Sequence, residues 1–173
     1  SVKETKDSSS ETTSLATYSY DANGNLVSTT DTVKNEELTY QYDPQGQMIS
    51  YQAKTDGTLV TTQKNEYNGN GKRILKKDGN QEESYYYQNE TLLLTVSDSQ
   101  LKDFYYLGNV GNPLAVASKT SDGMKSYTYQ KDVQGSTRAV TDTDGKCVEW
   151  YKYSDFGETT IHEEQAGFEN VLC

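Results

Sequence analysis

The chain has 173 residues and a formal net charge of −10, with 26 acidic and 16 basic side chains. Nucleic acids and anionic membrane surfaces are bound through clusters of basic residues, and the absence of such a cluster excludes both partners. No run of about 18 apolar residues predicts membrane insertion, and the first residues lack the apolar stretch of a signal peptide. Leu, Ile, Val and Phe make up only about 17% of the chain, a proportion typical of disorder, but 15 Tyr supply further apolar area.

Residues 1–13 are almost all Ser, Thr, Glu, Lys and Asp, which predicts a polar linker or disordered terminus. From residue 14 to residue 158, tyrosines followed by glycines recur. Gly24 and Gly46 are 22 residues apart, Gly46 and Gly71 are 25 apart, and Gly135 and Gly157 are again 22 apart. A period of about 20–50 residues marks a repeat architecture. We therefore expect a repeat region at 14–158, followed by a C-terminal tail at 159–173.

The predicted structural repeat positions are the aromatic residues, the acidic residues after two of them, the turn glycines and one arginine. They are Tyr18, Tyr20, Asp21, Gly24, Tyr40, Tyr42, Asp43, Gly46, Tyr67, Gly71, Tyr85, Tyr87, Tyr127, Tyr129, Gly135, Arg138, Gly145, Tyr151, Tyr153, Phe156 and Gly157.

The repeat unit predicts β-structure. Tyr-x-Tyr places both rings on one face of a strand, because side chains alternate between the two faces. Asn-Gly and Asp-Gly pairs adopt positive φ and close tight hairpins. Such pairs occur at Asn23-Gly24, Asp56-Gly57, Asn70-Gly71, Asp78-Gly79, Asp122-Gly123 and Asp144-Gly145. We predict an all-β fold of tandem antiparallel β-hairpin repeats that form one long curved sheet.

Two strings of residues resemble the Rhs, or YD-repeat, proteins. The first consists of Tyr20-Asp21-Ala-Asn-Gly24 and Tyr42-Asp43-Pro-Gln-Gly46. The second is Gly135-Ser136-Thr137-Arg138-Ala-Val-Thr-Asp142, followed by Gly145 and by Tyr151-x-Tyr153-x-x-Phe156-Gly157-Glu158. This second string is the more specific one and is similar to the Rhs repeat-associated core. Within the family, the chain most resembles the wall-associated proteins of Gram-positive bacteria.

The resemblance implies a role as well as a fold. The hairpins would form part of a superspiral shell, as in polymorphic toxin systems. The chain would then be a non-catalytic structural fragment of a secreted or cell-surface bacterial protein, and it would help to encapsulate or deliver a C-terminal toxin. Its partners would be the rest of the parent Rhs shell and the toxin payload. The family's continuation would begin near Cys173, so no cleavage residue and no toxin activity are carried over to this chain.

No constellation of residues predicts a catalytic site, a metal site or a cofactor. His162 is the only histidine, whereas a His-Glu-x-x-His zinc motif needs two, so we interpret its surroundings as a solvated acidic loop. Ser136 lacks the flanking glycines of a nucleophile elbow. Asp142-Thr-Asp144-Gly145 lacks the remaining ligands of a calcium loop and predicts a hairpin turn. Arg138 is expected to pair with a carboxylate across neighbouring strands.

The two cysteines lie in different settings. Cys147 is part of a strand-like run, and Cys173 is the last residue of the chain. A dense framework of extracellular disulfides is absent, so we favour one packed thiol and one terminal thiol over a disulfide between them.

The rows of tyrosines leave a second function open. Exposed Tyr on one face of a sheet binds glycans or proteins, which would make the chain an adhesive module. We favour the alternative, in which the rings are core and ladder contacts. An open sheet also exposes unpaired backbone groups along its end strands, so we expect edge-to-edge self-association.

Overall fold

The computed structural model describes residues 2–4, 13–154, 159–163 and Phe168. All the regular structure in these residues is β. A helix long and apolar enough to cross a membrane does not occur among them. The chain divides into two compact units, Ser1–Ser84 and Tyr85–Cys173.

The first unit contains seven strands and the start of an eighth. These are β1 (Val2–Glu4), β2 (Thr13–Tyr20), β3 (Leu26–Asp31), β4 (Glu36–Tyr42), β5 (Met48–Thr55), β6 (Thr58–Tyr67), β7 (Arg73–Asp78) and β8 (Gln81–Gln88). The second unit contains the end of β8 and seven further strands. These are β9 (Thr91–Ser97), β10 (Gln100–Leu107), β11 (Pro113–Thr120), β12 (Gly123–Lys131), β13 (Thr137–Thr141), β14 (Cys147–Tyr153) and β15 (Thr159–Glu163).

Strand order within each unit follows the order of the chain, and every register described is antiparallel. The connections are short enough for direct hairpins, which is why no strand needs a crossover. The predicted all-β class, made of tandem antiparallel hairpins, is therefore confirmed.

The first unit separates tyrosines from polar residues by strand alternation. Tyr40 lies opposite Tyr51 in the register of β4 and β5, and their ring centroids are 5.4 Å apart. On the other face, Thr39 lies opposite Gln52. We call the side that carries Tyr40 and Tyr51 the tyrosine face of this unit. Within residues 15–84, only Ala53 and Asn65 are buried, so most of this face is partly accessible.

The second unit has a true hydrophobic core. The core consists of Tyr105, Val116, Tyr127, Tyr129, Val140, Val148, Tyr151 and Phe168, with Leu92, Leu107 and Tyr153 packed against it. Phe168 lies after the last strand, and its ring centroid is 4.3 Å from that of Tyr127. This contact shows how a residue beyond the hairpins helps to exclude water from the sheet.

The two ends of the chain differ from the boundaries expected from composition. Val2–Glu4, within the expected linker at 1–13, forms β1 and pairs with β2. Thr159–Glu163, within the expected tail at 159–173, forms β15 and pairs with β14. Backbone hydrogen bonds to an existing strand explain both cases, because they do not depend on an apolar side-chain pattern. The expected repeat positions Phe156 and Gly157 lie outside the described residues.

Candidate functional site

A five-residue loop recurs at the hairpin ends and begins with Asp or Asn in five of its copies. We call residues 21–25, 43–47, 68–72, 132–136 and 142–146 the Asx loops. In the first of them, the N–H of Asp21 donates to the carbonyl of Asn25 at 2.9 Å, and the N–H of Gly24 donates to the carbonyl of Asp21 at 3.1 Å. The other four copies repeat both bonds.

The first side chain of each Asx loop satisfies two further backbone donors. Asp43 Oδ1 accepts the N–H groups of Gln45 and Gln47, each at 2.9 Å. The same pair of bonds occurs at Asp21, Asn68, Asp132 and Asp142. The acidic residue that follows the tyrosine is therefore an acceptor that closes the loop. The hydrogen bond from the side chain of Asn25 is the main cause of the lowered pKa of Asp21.

This geometry corrects the turn type expected from Asn-Gly and Asp-Gly. Asp56 and Gly57 both have positive φ, 51° and 74°, and form the expected two-residue turn. At Gly24, Gly71 and Gly145, by contrast, only the glycine has positive φ, and the pair lies inside an Asx loop. In these three loops, an Asp or Asn acceptor three residues before the glycine stabilises the longer loop.

A β-bulge follows each Asx loop at the same position. In the first copy, Tyr20 pairs with Leu26 while Ser19 pairs with Ser28, which leaves Val27 as the extra residue. The equivalent extra residues after the later Asx loops are Ile49, Ile74, Arg138 and Val148. A separate bulge between β5 and β6 leaves Val60 unpaired, because Ala53 pairs with Thr61 and Lys54 with Leu59.

Neighbouring Asx loops of the first unit touch one another at the glycine. A Cβ placed on Gly71 would lie 2.9 Å from Nε2 of Gln47, the last residue of the preceding loop. A Cβ on Gly46 would lie 3.8 Å from Oδ1 of Asn25, the last residue of the loop before that. The glycine is thus required for its positive φ, and at Gly71 an added Cβ would also displace the flexible end of the Gln47 side chain.

Replacing Gly71 with alanine should reduce stability by about 1–2 kcal/mol, because an L-residue is strained at its φ of +76°. Gly69 provides a matched control in the same loop, since its φ is not positive and nothing lies within 4 Å of an added Cβ. Chemical denaturation of both variants tests this. An equal loss for Gly69→Ala and Gly71→Ala would contradict the assignment of strain to Gly71.

Arg138 joins the fourth Asx loop to the following hairpin. Its Nε donates to Asp132 Oδ2 at 3.0 Å. This carboxylate lies in the loop between β12 and β13, whereas the sequence predicted a partner on a neighbouring strand. Its guanidinium carbon also lies 5.4 Å from the ring centroid of Tyr153. The hydroxyl of Tyr153 donates to the carbonyl of Thr137 at 2.6 Å. Arg138 is therefore held between a loop carboxylate and an aromatic ring, as a structural contact.

The predicted tyrosine positions differ widely in burial. The buried ones are Tyr85, Tyr127, Tyr129 and Tyr151, and the half-buried ones are Tyr40, Tyr42, Tyr67, Tyr87 and Tyr153. Tyr18 and Tyr20 remain 39% and 61% exposed. The same sequence pattern thus produces core residues in the second unit and accessible rings at the start of the first.

A buried carboxylate lies beside the core of the second unit. Asp103, 2% exposed, accepts hydrogen bonds from Thr95 Oγ1 at 2.9 Å and from Ser118 Oγ at 2.6 Å. The three residues face one another directly across β9, β10 and β11. We call them the Asp103 row. Both donors are hydroxyls on directly opposed residues, so each carboxylate oxygen of Asp103 is paired within the row.

A second buried carboxylate, Glu149, accepts a hydrogen bond from the hydroxyl of Tyr151. In the register it lies opposite Val140 of β13 and Glu163 of β15. Burial raises the pKa of Glu149; the Tyr151 hydrogen bond opposes this shift, and the negative charge of Glu163 adds to it. A raised folded pKa means that Glu149 favours folding more as it becomes protonated.

Replacing Glu149 with glutamine should stabilise the protein near pH 7 and have a smaller effect at lower pH. The wild-type contribution is fully present below the unfolded pKa, close to 4.5, and is lost as the pH rises through the higher folded pKa. Melting temperatures of both proteins between about pH 4.5 and pH 7 test this. A constant difference between the two across that range would contradict the raised pKa. Glu163→Gln, which removes only the neighbouring negative charge, should partly reduce the dependence of the melting temperature on pH.

His162 does not lie in a solvated loop, as the sequence suggested, but in β15. Its ring stacks on Trp150 at a centroid distance of 3.8 Å and an interplanar angle of 4°, because the two residues are opposed in the register. Within the described ranges, no three His, Cys, Asp or Glu side chains are grouped so as to hold a metal ion. Cys147 is a free thiol, and Cys173 lies outside the described residues.

The Asp103 row and Glu149 were not singled out by the sequence analysis, although a signal for both was present. Strand alternation places Asp103 on the same face as Tyr105, and Glu149 on the same face as Tyr151. An acidic residue two positions before a core tyrosine is therefore a candidate for a buried carboxylate. The role of the Asn68, Asp132 and Asp142 side chains as loop acceptors was missed as well, although a hairpin turn was expected at 142–145.

Comparison with protein families identifies the class of these hairpins. The RHS Repeat family model matches residues 20–59, a range that contains both Tyr-Asp copies and the first two Asx loops. Residues 20–59 thus match an RHS Repeat, and the resemblance to Rhs proteins is confirmed. The Gly135-Ser136-Thr137-Arg138 string, on which the sequence analysis placed more weight, lies outside the matched range.

The chain is also similar to individual proteins and to a solved structure. Over 148 residues the chain is 29% identical to the tRNA3(Ser)-specific nuclease WapA of Bacillus spizizenii and 28% identical to the tRNA nuclease WapA of Bacillus subtilis strain 168. Each match covers 84% of this chain but only 6% of the relative. The crystal structure of TcdB2-TccC3 shares the fold, with a TM-score of 0.55 and 17% identity over 86% of this chain and 9% of that one.

Proposed function

We propose that the chain is a non-catalytic wall segment of a larger Rhs-type protein, and that the parent protein encloses or delivers a C-terminal toxin. The main support is that consecutive antiparallel hairpins make up the described strands, and that these hairpins match a small part of much longer proteins. The polar side chains discussed above are engaged in closing loops or in pairing strands. The nuclease activity named for the WapA relatives would then reside outside the matched segment.

The proposal includes a location outside the producing cell, either secreted or at the cell surface or wall. Similarity to the Bacillus WapA proteins supports this location. The partners would be the adjoining repeats of the parent shell and the payload, with edge-to-edge association of isolated chains as a further expectation. Light scattering across a concentration series tests the association, and a monomer at every concentration would count against it.

The proposed role as part of the protein shell around the payload is tested in the full parent protein. Tyr105→Ala opens the core of the second unit, whereas Tyr106→Ala changes a neighbouring ring that is already exposed. We expect the first variant to make the C-terminal payload accessible to protease and the second to leave it protected. Equal protection in both variants, or cleavage of tRNA by the isolated 173-residue chain, would contradict the proposal.

The exposed rings of Tyr18 and Tyr20 favour a second candidate function, that of an adhesive module for glycans or proteins. Both rings are more than a third exposed. They lie two residues apart in β2 and therefore on the same face of that strand. Glycan-array binding by the wild type and loss of that binding in Tyr18→Ala/Tyr20→Ala would support it. Thr17→Ala/Ser19→Ala, on the opposite face of the strand, is the matched control.

A further inference from the structure

One hairpin loop has the backbone of an Asx loop without its carboxylate. In residues 108–112, the N–H of Gly108 donates to the carbonyl of Asn112 at 2.8 Å, and the N–H of Gly111 donates to the carbonyl of Gly108 at 2.9 Å. A β-bulge at Leu114 follows, as it does after the Asx loops. Residue 108 is glycine, however, where the Asx loops have Asp or Asn.

The missing side chain leaves two backbone donors without the partner that they have elsewhere. In the Asx loops, one side-chain oxygen accepts the N–H groups of the third and fifth residues at 2.9–3.0 Å. The corresponding donors here are the N–H groups of Val110 and Asn112. Neither has an acceptor among the residues that the structure describes. Two convergent N–H groups form the kind of concavity that binds anions.

A third donor is available from Asn112. In the loop at 21–25, Asn25 Nδ2 donates to the second carboxylate oxygen of Asp21 at 2.9 Å. Asn112 occupies the same place in its loop, and its Oδ1 lies 2.6 Å from where a Cβ on residue 108 would stand. Its side chain therefore already reaches the region that the carboxylate group occupies in the other loops. A rotation of the carboxamide would direct Nδ2 toward an incoming carboxylate.

Val110, which carries one of these donors, lines an open cleft. A cleft of about 460 Å³ lies between the turn at Gln88–Thr91 and the loop segment Leu107–Gly111. Small-ligand sites have volumes of about 300–1,000 Å³. Glu90 also lines the cleft, and its charge opposes the binding of an anion.

We propose that the loop at 108–112 binds the carboxylate group of a ligand, held by the N–H groups of Val110 and Asn112 in the position that Asp takes in the Asx loops. The ligand class follows from the chain itself, because four Asp carboxylates and one Asn carbonyl occupy the equivalent position. Two sources share this chemistry, namely a free small carboxylate and an acidic side chain of another polypeptide.

The test is an NMR titration of the chain with sodium acetate, with sodium chloride at equal ionic strength as the reference. The amide signals of Val110 and Asn112 should shift and saturate with acetate. Those of Gln45 and Gln47 should not, because Asp43 already occupies their loop. Gly108→Asp should remove the response at Val110 and Asn112, and Asp43→Gly should create one at Gln45 and Gln47. Glu90→Gln should lower the acetate concentration needed for saturation.

Two capped peptides, Ala-Asp-Ala and Ala-Asn-Ala, distinguish the sources. Tighter binding of the Asp peptide than of acetate, with added shifts at Gln88–Thr91, supports a polypeptide ligand; a response equal to that of acetate supports a free carboxylate. Binding of the Asn peptide as strong as that of the Asp peptide would overturn the proposal. So would the absence of a saturable acetate shift, or an unchanged shift in Gly108→Asp.

Discussion

Replacing Tyr105 with alanine should lower the free energy of unfolding of the second unit by about 3–5 kcal/mol. Tyr105 is 1% exposed and belongs to the hydrophobic core of that unit. Truncation would remove the ring from contact with its neighbours and leave a cavity that the surrounding strands fill only in part. Both terms destabilise the folded state, and together they exceed the effect expected of any loop substitution discussed above.

Tyr106 provides the matched control for this prediction. It is the next residue in β10, points to the opposite face and is 49% exposed. Its ring makes an edge contact with Phe104, with centroids 5.3 Å apart, so Tyr106→Ala should cost about 0.5–1.5 kcal/mol. Hydrogen exchange of the amides in β10–β12 would measure both variants. Similar losses for the two would show that burial does not determine the stability of this unit.

Replacement of Asp103 should cause the second largest loss of folding stability. Replacing Asp103 with alanine removes the acceptor for two buried hydroxyls, those of Thr95 and Ser118. Hydrogen bonds to charged groups contribute about 1.5–3 kcal/mol each, so the expected loss is about 3 kcal/mol or more. Asp144→Ala, in the exposed part of the Asx loop at 142–146, should have almost no effect. Urea denaturation of both variants measures the difference.

A combined replacement separates the hydrogen bonds from the burial itself. Thr95→Val, Asp103→Leu and Ser118→Ala together leave no polar side-chain atom unpaired at these positions, so most of the loss should be recovered. A triple variant as unstable as Asp103→Ala alone would mean that packing, and not the unsatisfied hydroxyls, causes the loss. Recovery would instead indicate that the row contributes to specific strand pairing more than to stability.

The strands could be predicted because their signal is local. In Tyr40-x-Tyr42 and Tyr127-x-Tyr129, both rings fall on one face of a strand whatever the rest of the chain does. For five of the loops the turn type was also encoded, in the Asp or Asn three positions before the glycine; the loop at 108–112 has the same backbone with Gly108 at that position. Asp21 precedes Gly24 in this way, whereas Lys54 precedes Gly57. That difference separates Asx loops from two-residue turns, but it becomes apparent only once the role of the first side chain is known.

Burial could not be predicted from the same pattern. Tyr18 and Tyr129 both lie three residues before the first residue of an Asx loop, yet Tyr18 is 39% exposed and Tyr129 is 7% exposed, within the core that contains Phe168. What covers a ring depends on residues distant in sequence, and strand alternation carries no information about them. The position of Asp103 between two hydroxyls likewise depends on the register of three strands, which no single segment specifies.

The unpaired Val60 has a consequence for how such chains change in length during evolution. Side chains alternate strictly along a strand, so a duplicated or deleted stretch keeps its outward and inward residues only if it contains an even number of them. Gly46 and Gly71 are 25 residues apart rather than 22, an odd difference, and the additional bulge at Val60 restores the alternation. Insertions and deletions that change the repeat length are therefore expected to involve an even number of residues, or to introduce a β-bulge like the one at Val60.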